Sequence, residues 1–135
     1  MKTIIAIIEK SSEGGYGIYA KDKNVPLTGF GLTETEAKED FESLIEEQAD
    51  YYKEKMGVYP DWYDTDIKIE YRYDMSAFFM SFPFINATEL AKSIGINLSL
   101  MRKYKSGIAS ASDKQKNMIQ QKFDDIVNKL GVVKF

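Results

Sequence analysis

The chain has 135 residues, no cysteine and no histidine, and 44% of its residues are hydrophobic. Without cysteine it cannot form a disulfide framework or a thiolate metal site, and without histidine it lacks the commonest general base. Its net charge of −3 divides into −8 over residues 1–75 and +5 over residues 76–135, which indicates two parts with different partners.

The first half of the chain has strand patterns separated by turns. Ile4–Ile8 is β-branched and apolar on both faces, which predicts a central strand, and Tyr16–Ala20 is predicted to form a hairpin with it. Val25–Gly31 is predicted as a third, irregular strand, for which Pro26 indicates an edge position. Ile67–Tyr73 alternates strictly and is predicted as a half-buried fourth strand.

A long helix is predicted between the third and fourth strands. Thr33 and Glu36 form a capping box at its start, and Met56-Gly57 marks its end. Its predicted core-facing stripe is Ala37, Phe41, Leu44, Ile45, Gln48 and Tyr52, and its acidic opposite face is Glu39, Asp40, Glu42, Glu46 and Glu47. Residues 1–74 are therefore predicted to form a β-β-β-α-β domain, with one helix on one face of a small sheet.

Residues 75–135 are predicted to form an all-α domain, so the expected fold class is α+β. Met75–Phe82 is predicted as a short helix capped by Asp74, and capping patterns at Asn86 and Ser112 open two later helices. Core or junction positions are expected for Trp62, Tyr63, Phe78, Phe79, Phe82 and Phe84. The last helix has the apolar stripe Ile119, Phe123, Ile126, Val127 and Leu130, followed by a tail, Val132–Phe135, that is a candidate for docking on a partner subunit.

The segment Thr88–Gly107 has the pattern of a helix-turn-helix. Gly95 can take the left-handed conformation that ends the first helix, and Asn97 can cap the second. The predicted inward positions are small or apolar: Leu90, Ala91, Ile94, Ile96, Met101 and Tyr104. This spacing is typical of DNA-binding motifs, in which the second helix lies in the major groove.

The predicted DNA contacts are Thr88, Asn97, Leu98, Ser99, Arg102, Lys103, Lys105, Ser112 and Lys114. Arg102 and Lys103 are the first candidates, because arginine and lysine donate to guanine or to phosphate. Ser112 and Lys114 lie at a helix N-terminus, which favours a phosphate, although ordinary capping explains them equally well. Leu98 and Leu100 either touch thymine methyl groups or pack inside the fold.

Other interpretations stay open. The helix-turn-helix pattern also suits a helical hairpin that never meets DNA, and the acidic helix face is either solvated or a docking face for a basic protein. Asp61, Asp64, Asp66 and Glu70 can in principle hold a divalent metal, as in a metal-dependent enzyme. Their spacing matches no calcium-loop pattern and a solvated loop is simpler, so a non-enzyme without metal or cofactor is expected.

The first residues superficially resemble a secretory signal, but the apolar run stops at Ile8 and charged residues follow at once. A secretory core needs roughly 7–15 apolar residues, and a membrane span roughly 18. A cytoplasmic protein with no membrane partner is therefore expected.

Two stretches resemble a known family. Tyr16–Ala20 followed by Gly29–Ala37 is similar to the HicB antitoxin domain, which has a strand, a glycine-containing segment and a threonine-capped helix with an early alanine. Asn86–Gly107, continued by Ala111–Gln115, resembles the Xre-type helix-turn-helix that many HicB proteins carry. Thr28-Gly29 stands where the family usually has Pro-Gly.

The resemblance implies an N-terminal domain with a degenerate, non-catalytic ribonuclease-H-like fold. It implies an antitoxin of a type II toxin-antitoxin system, which binds and blocks a small basic HicA-like toxin, a ribonuclease that cleaves mRNA. It also implies that the C-terminal half forms a homodimer or higher oligomer and represses its own operon by binding operator DNA. A stand-alone DNA-binding regulator with no toxin partner is the alternative.

Overall fold

The computed structural model describes residues 1–135 and contains one four-stranded sheet and five helices, which confirms the α+β class. The strands are β1 (Lys2–Lys10), β2 (Tyr16–Ala20), β3 (Thr28–Gly31) and β4 (Ile67–Tyr73). The helices are α1 (Glu34–Met56), α2 (Met75–Ser81), α3 (Ala87–Ile94), α4 (Leu98–Ser106) and α5 (Asp113–Leu130). None of these helices has an apolar stretch long enough to cross a membrane.

The sheet has the strand order β3-β2-β1-β4, so β1 is an inner strand, as its apolar sequence predicts. β1 and β2 form an antiparallel hairpin in which Ala6 lies opposite Ala20. β4 runs parallel to β1, with Ile4 opposite Ile69. The predicted order β-β-β-α-β is therefore confirmed, and α1 belongs to the connection that returns the chain to the far edge beside β1.

The edge strand β3 is shorter than the sequence predicts, because it begins at Thr28 rather than at Val25. The backbone turns before it, and the Leu27 N–H donates to the Val25 carbonyl at 2.9 Å. Val25 and Leu27 are buried in the core, so their apolar side chains serve packing rather than strand pairing.

Helix α1 has the predicted ends. The Thr33 hydroxyl accepts the Glu36 N–H at 3.2 Å, and Gly57 ends the helix in the left-handed conformation with φ 81°. Phe41 is fully buried against the sheet, but Tyr52, predicted to face the core, is 39% exposed. That prediction is wrong because the end of α1 extends past the sheet, and every residue from 51 to 59 is exposed.

The start of α1 lies very close to β3, and two glycines permit this approach. A methyl group on Gly31 would lie 2.4 Å from the Ala37 amide nitrogen, and one on Gly29 would lie 2.7 Å from the Phe41 amide nitrogen. Such distances are below any normal carbon–nitrogen contact, so side chains at these positions would force β3 away from α1.

A polar network around Glu34 joins the sheet to α2. The Glu34 carboxylate accepts the Tyr73 hydroxyl at 2.7 Å and the Ser81 hydroxyl at 2.8 Å, and it pairs with Lys38 at 3.0 Å. Burial acts to raise the pKa of Glu34, but these three partners stabilise the ionised form and hold the pKa below its ordinary value. Burial together with Glu34 raises the pKa of Tyr73.

The hydrophobic core forms two clusters, one between α1 and the sheet and the other among the helices from α2 to α5. α5 contributes little to the second cluster, because Ile119 is its only buried residue. Farther along α5 the predicted stripe is half-buried at Phe123 and exposed at Val127 and Leu130. The tail from 131 to 135 is exposed as well.

An open cavity of about 980 Å³ lies between the sheet and the helices. Phe78, Phe82 and Phe123 line it, so Phe78 and Phe82 lie at the junction, one of the two positions predicted for them. Phe79 has the other predicted position, in the helical core, whereas the prediction for Phe84 is wrong because that side chain is 82% exposed. The junction is therefore lined with aromatic side chains but is not filled by them.

Candidate nucleic-acid interface

Helices α3 and α4 form the predicted pair of short helices joined by a tight turn. The Asn86 side chain accepts the Glu89 N–H at 3.0 Å and begins α3, and the Asn97 side chain accepts the Leu100 N–H at 3.2 Å and begins α4. Between them Gly95 has φ 76° and donates its N–H to the Ala91 carbonyl. Both ends of the turn are thus set by local side-chain and glycine chemistry.

The packing of the motif follows the predicted inward positions. Ala91, Ile94, Ile96, Met101 and Tyr104 are buried, and Leu90 is half-buried beside the cavity. Ala91 is 1% exposed, and its small side chain lets α3 approach α4 closely. This packing fixes which face of α4 is turned outward.

The outward face of α4 is polar and basic. Ser99, Arg102 and Lys103 are exposed on the side opposite Met101 and Tyr104. Lys105 is also exposed, and it lies on the flank of the helix. Arg102, Lys103 and Lys105 have no carboxylate within 4.0 Å and belong to none of the ion pairs of the chain. Their charge is therefore free to meet an anion.

Of the two alternatives for Leu98 and Leu100, the structure favours packing inside the fold. Both are half-buried and pack against the helical cluster. Leu98, predicted as a DNA contact, is thus placed at the margin of the helical core. The contact surface of α4 is accordingly narrower and more polar than the predicted set.

The remaining predicted contacts occupy helix starts. Thr88 is half-buried in the first turn of α3, and the exposed Asn97 uses its side-chain oxygen as the cap of α4. Ser112 accepts the Gln115 N–H at 3.1 Å, and Lys114 is exposed in the same turn. Asp113 also occupies this turn and pairs at 3.6 Å with Lys21, which follows the end of β2. This helix start is therefore less favourable to phosphate than the sequence indicates.

One cation near α4 was not identified from the sequence. Lys10, the last residue of β1, lines the same pocket as Arg102 and Lys105. The pairing of β1 and the placement of α2 bring it there, and no local pattern in the sequence signals the proximity. Such a residue is found only once the sheet and the helices are seen together.

The acidic residues of the loop before β4 do not converge on one point. The Asp64 carboxylate lies 3.4 Å from the N-terminal ammonium, whose hydrogen bond is the main reason that the pKa of Asp64 is lowered. Glu70 pairs with Arg72 at 2.7 Å. No group of three possible metal ligands occurs anywhere in the chain.

The acidic face of α1 is exposed, as predicted, but part of it is tied to the sheet. Asp40 accepts the Phe30 N–H at 2.8 Å, and Glu42 accepts the Tyr71 hydroxyl at 2.7 Å. Glu39, Glu46 and Glu47 are exposed and have no cation within 4.0 Å. These three carboxylates are available to a basic partner.

No protein-family model, curated protein or solved structure matches this chain.

Proposed function

We propose that the protein is a DNA-binding transcriptional regulator of the HicB-like antitoxin type, whose helix α4 enters the major groove of its operator. The observation that carries the proposal is the exposed face of α4, on which Arg102 and Lys103 have no acidic partner. The charge of α4 supports the same role, because the helix carries three cations and no acidic residue and lies in the half of the chain with a net charge of +5.

The dimensions of α4 suit this role. It has nine residues, which at about 1.5 Å per residue gives a helix of about 13 Å. A helix with its side chains is about 10–12 Å across, so the major groove, which is about 12 Å wide, admits one such helix along its course. The Ser99 hydroxyl and the Arg102 guanidinium supply donors for base edges or phosphates.

The proposal includes a homodimer or higher oligomer. A single nine-residue helix reads only one half-site, and dimers of this motif bind half-sites about 34–36 Å apart. Val127, Leu130 and the tail expose apolar side chains at the end of α5, which favours an interface there.

A second arm of the proposal is the binding of a small basic toxin to the acidic half of the chain. Its support is the set of unpaired carboxylates on α1, which would steer a basic protein toward this face. The alternative, a regulator without a toxin, differs in one observable respect. A neighbouring reading frame that encodes a short basic protein, and co-purification of the two products, would favour the antitoxin.

The DNA-binding arm is tested with the protein and a duplex from the region upstream of its own gene. Arg102→Ala is expected to cost about 1–3 kcal/mol of binding free energy if the side chain reads a base. Lys55→Ala removes the same charge from the exposed end of α1 and is the matched control. Affinities are measured by fluorescence anisotropy at fixed salt.

Equal affinities of Arg102→Ala and the parent would exclude Arg102 as a contact. A salt series on the parent tests the alternative of a purely structural hairpin. Phosphate contacts release counterions, so DNA affinity falls steeply with salt when they are present. A parent protein that fails to bind the duplex at low salt would end the DNA-binding proposal.

A further inference from the structure

A small pocket of about 310 Å³ lies where the end of β1 meets α2 and α4. Its lining consists of Lys10, Ser76, Phe79, Met80, Arg102, Lys105 and Ser106. Three of these residues are cationic and none is acidic. The pocket therefore combines cations from two parts of the chain that are far apart in sequence.

Hydrogen bonds to buried side chains fix the backbone of Lys10. Its backbone N–H donates to the Ser76 hydroxyl at 3.1 Å, and Ser76 is 1% exposed. The Ser76 hydroxyl donates to the buried Asp74 carboxylate, and the Asp74 N–H donates to the Ile8 carbonyl at 2.8 Å. The end of β1 and the start of α2 are thereby held together, and α2 packs on α4 through Phe79 in the helical core, so the backbone of Lys10 keeps its place relative to α4.

The cations of the pocket form no ion pair within the chain, although the buried Asp74 carboxylate lies behind the lining residue Ser76. Lys10, Arg102 and Lys105 are all absent from its ion pairs. The floor is apolar, since Phe79 is 5% exposed and the Lys105 ammonium lies 5.8 Å from the centre of its ring. Like charges held near a low-dielectric surface repel each other, and a bound anion relieves that repulsion.

The position of the pocket beside α4 indicates which anion it binds. Arg102 belongs both to the pocket and to the outward face of α4, so the pocket lies along one flank of that helix. When a helix lies in the major groove, the phosphates of the two strands border it on either side. The cations on the flank are then next to the DNA backbone.

We propose that this pocket binds a backbone phosphate of duplex DNA, and that Lys10 of the sheet is one of its ligands. The inference rests on the proposed function, since it requires α4 in the major groove. It adds that the sheet and the helix-turn-helix bind DNA together. A protein docked over the end of β1 would then compete with DNA.

The experiment measures binding of a short mixed-sequence duplex, because a phosphate contact needs no particular operator. Lys10→Ala is expected to lower the slope of log affinity against log salt by about 0.9 in magnitude. If the parent and Lys10→Ala have equal affinities near 1 M salt, this difference in slope corresponds to about eight-fold weaker binding of Lys10→Ala at 0.1 M. Lys23→Ala, an exposed lysine in the turn between β2 and β3, is the matched control and should bind like the parent.

Two further variants separate a lost contact from a damaged fold. Lys10→Arg keeps the charge and should retain the parent slope, whereas Lys10→Glu should weaken binding more than Lys10→Ala. Urea unfolding of each variant should match the parent, because the Lys10 side chain is exposed.

The possible failures are distinguishable. If the parent binds with a steep salt dependence and Arg102→Ala weakens it, but Lys10→Ala has the parent slope, the phosphate pocket is wrong and the proposed function stands. If the parent shows no salt-dependent binding, both are wrong.

Discussion

Replacing Gly31 by alanine should destabilise the protein through a backbone collision. The new methyl group would lie 2.4 Å from the Ala37 amide nitrogen, inside the first turns of α1. A flexible side chain could move aside, but the atoms in the way belong to the helix backbone. Either β3 leaves the sheet edge or α1 moves as a unit, and the helix is held by the fully buried Phe41.

The size of the effect follows from two opposing terms. Overpacking of this kind costs about 1–3 kcal/mol, and rigid backbone places Gly31→Ala toward the upper end of that range. The lower entropy of the unfolded chain with alanine offsets about 0.4–1 kcal/mol. A net loss of about 2 kcal/mol is expected, which for 135 residues corresponds to a fall in Tm of about 7 °C at about 2.1 cal/mol/K per residue.

The assay is urea and thermal unfolding followed by the fluorescence of Trp62, which packs against the core beneath α1. Gly17→Ala on the neighbouring strand is the matched control, because its methyl group would meet only the Glu9 side chain at 3.8 Å. We expect Gly17→Ala to change the unfolding free energy by less than about 0.5 kcal/mol. A Gly31→Ala protein as stable as the parent would refute the close approach of β3 and α1.

Two other predictions concern the junction and the end of α5. The lowered pKa of Glu34 means that its ionised form stabilises the fold above the ordinary value of 4.5, and that this contribution is lost as pH falls through the folded-state pKa. The parent should therefore exceed Glu34→Gln in unfolding free energy by more at pH 7 than below pH 4.5. A difference between the two proteins that does not change with pH would contradict this. If the proposed homodimer buries the end of α5, where Leu130 is 65% exposed in the single chain, Leu130→Lys should shift it toward monomer in light scattering. The exposed neighbour change Asn128→Lys should not, and a dimer unchanged by Leu130→Lys would exclude this face.

Local signals in the sequence predicted the ends of the helices well. The caps at Thr33, Asp74, Asn86 and Ser112 are all present. Each depends on a side chain that bonds to a backbone N–H two or three residues later, so the information lies within one turn of chain. The same holds for Gly95, whose left-handed conformation ends α3.

Features that depend on distant segments were predicted poorly. The spacing of Tyr52 indicates a core position, but whether a helix residue is covered depends on how far the sheet extends beside it. The shortness of β3 depends on the backbone turn at Val25 and Leu27. The predicted contact Leu98 has the periodicity of an exposed position, yet the neighbouring helices leave it half-buried. Lys10 and Arg102 share a pocket only because of the whole topology.

The exposed end of α5 and the proposed mode of DNA binding both favour a dimer. A monomer leaves Leu130 and Phe135 in water and presents one copy of α4. Burying such apolar surface between two copies stabilises a dimer by about 25 cal/mol per Å². When both copies use the same surface, the dimer has two-fold symmetry. The same symmetry places two copies of α4 on one face of a duplex, as a palindromic operator requires. A variant that breaks the α5 interface should therefore lose operator affinity even though α4 is unchanged.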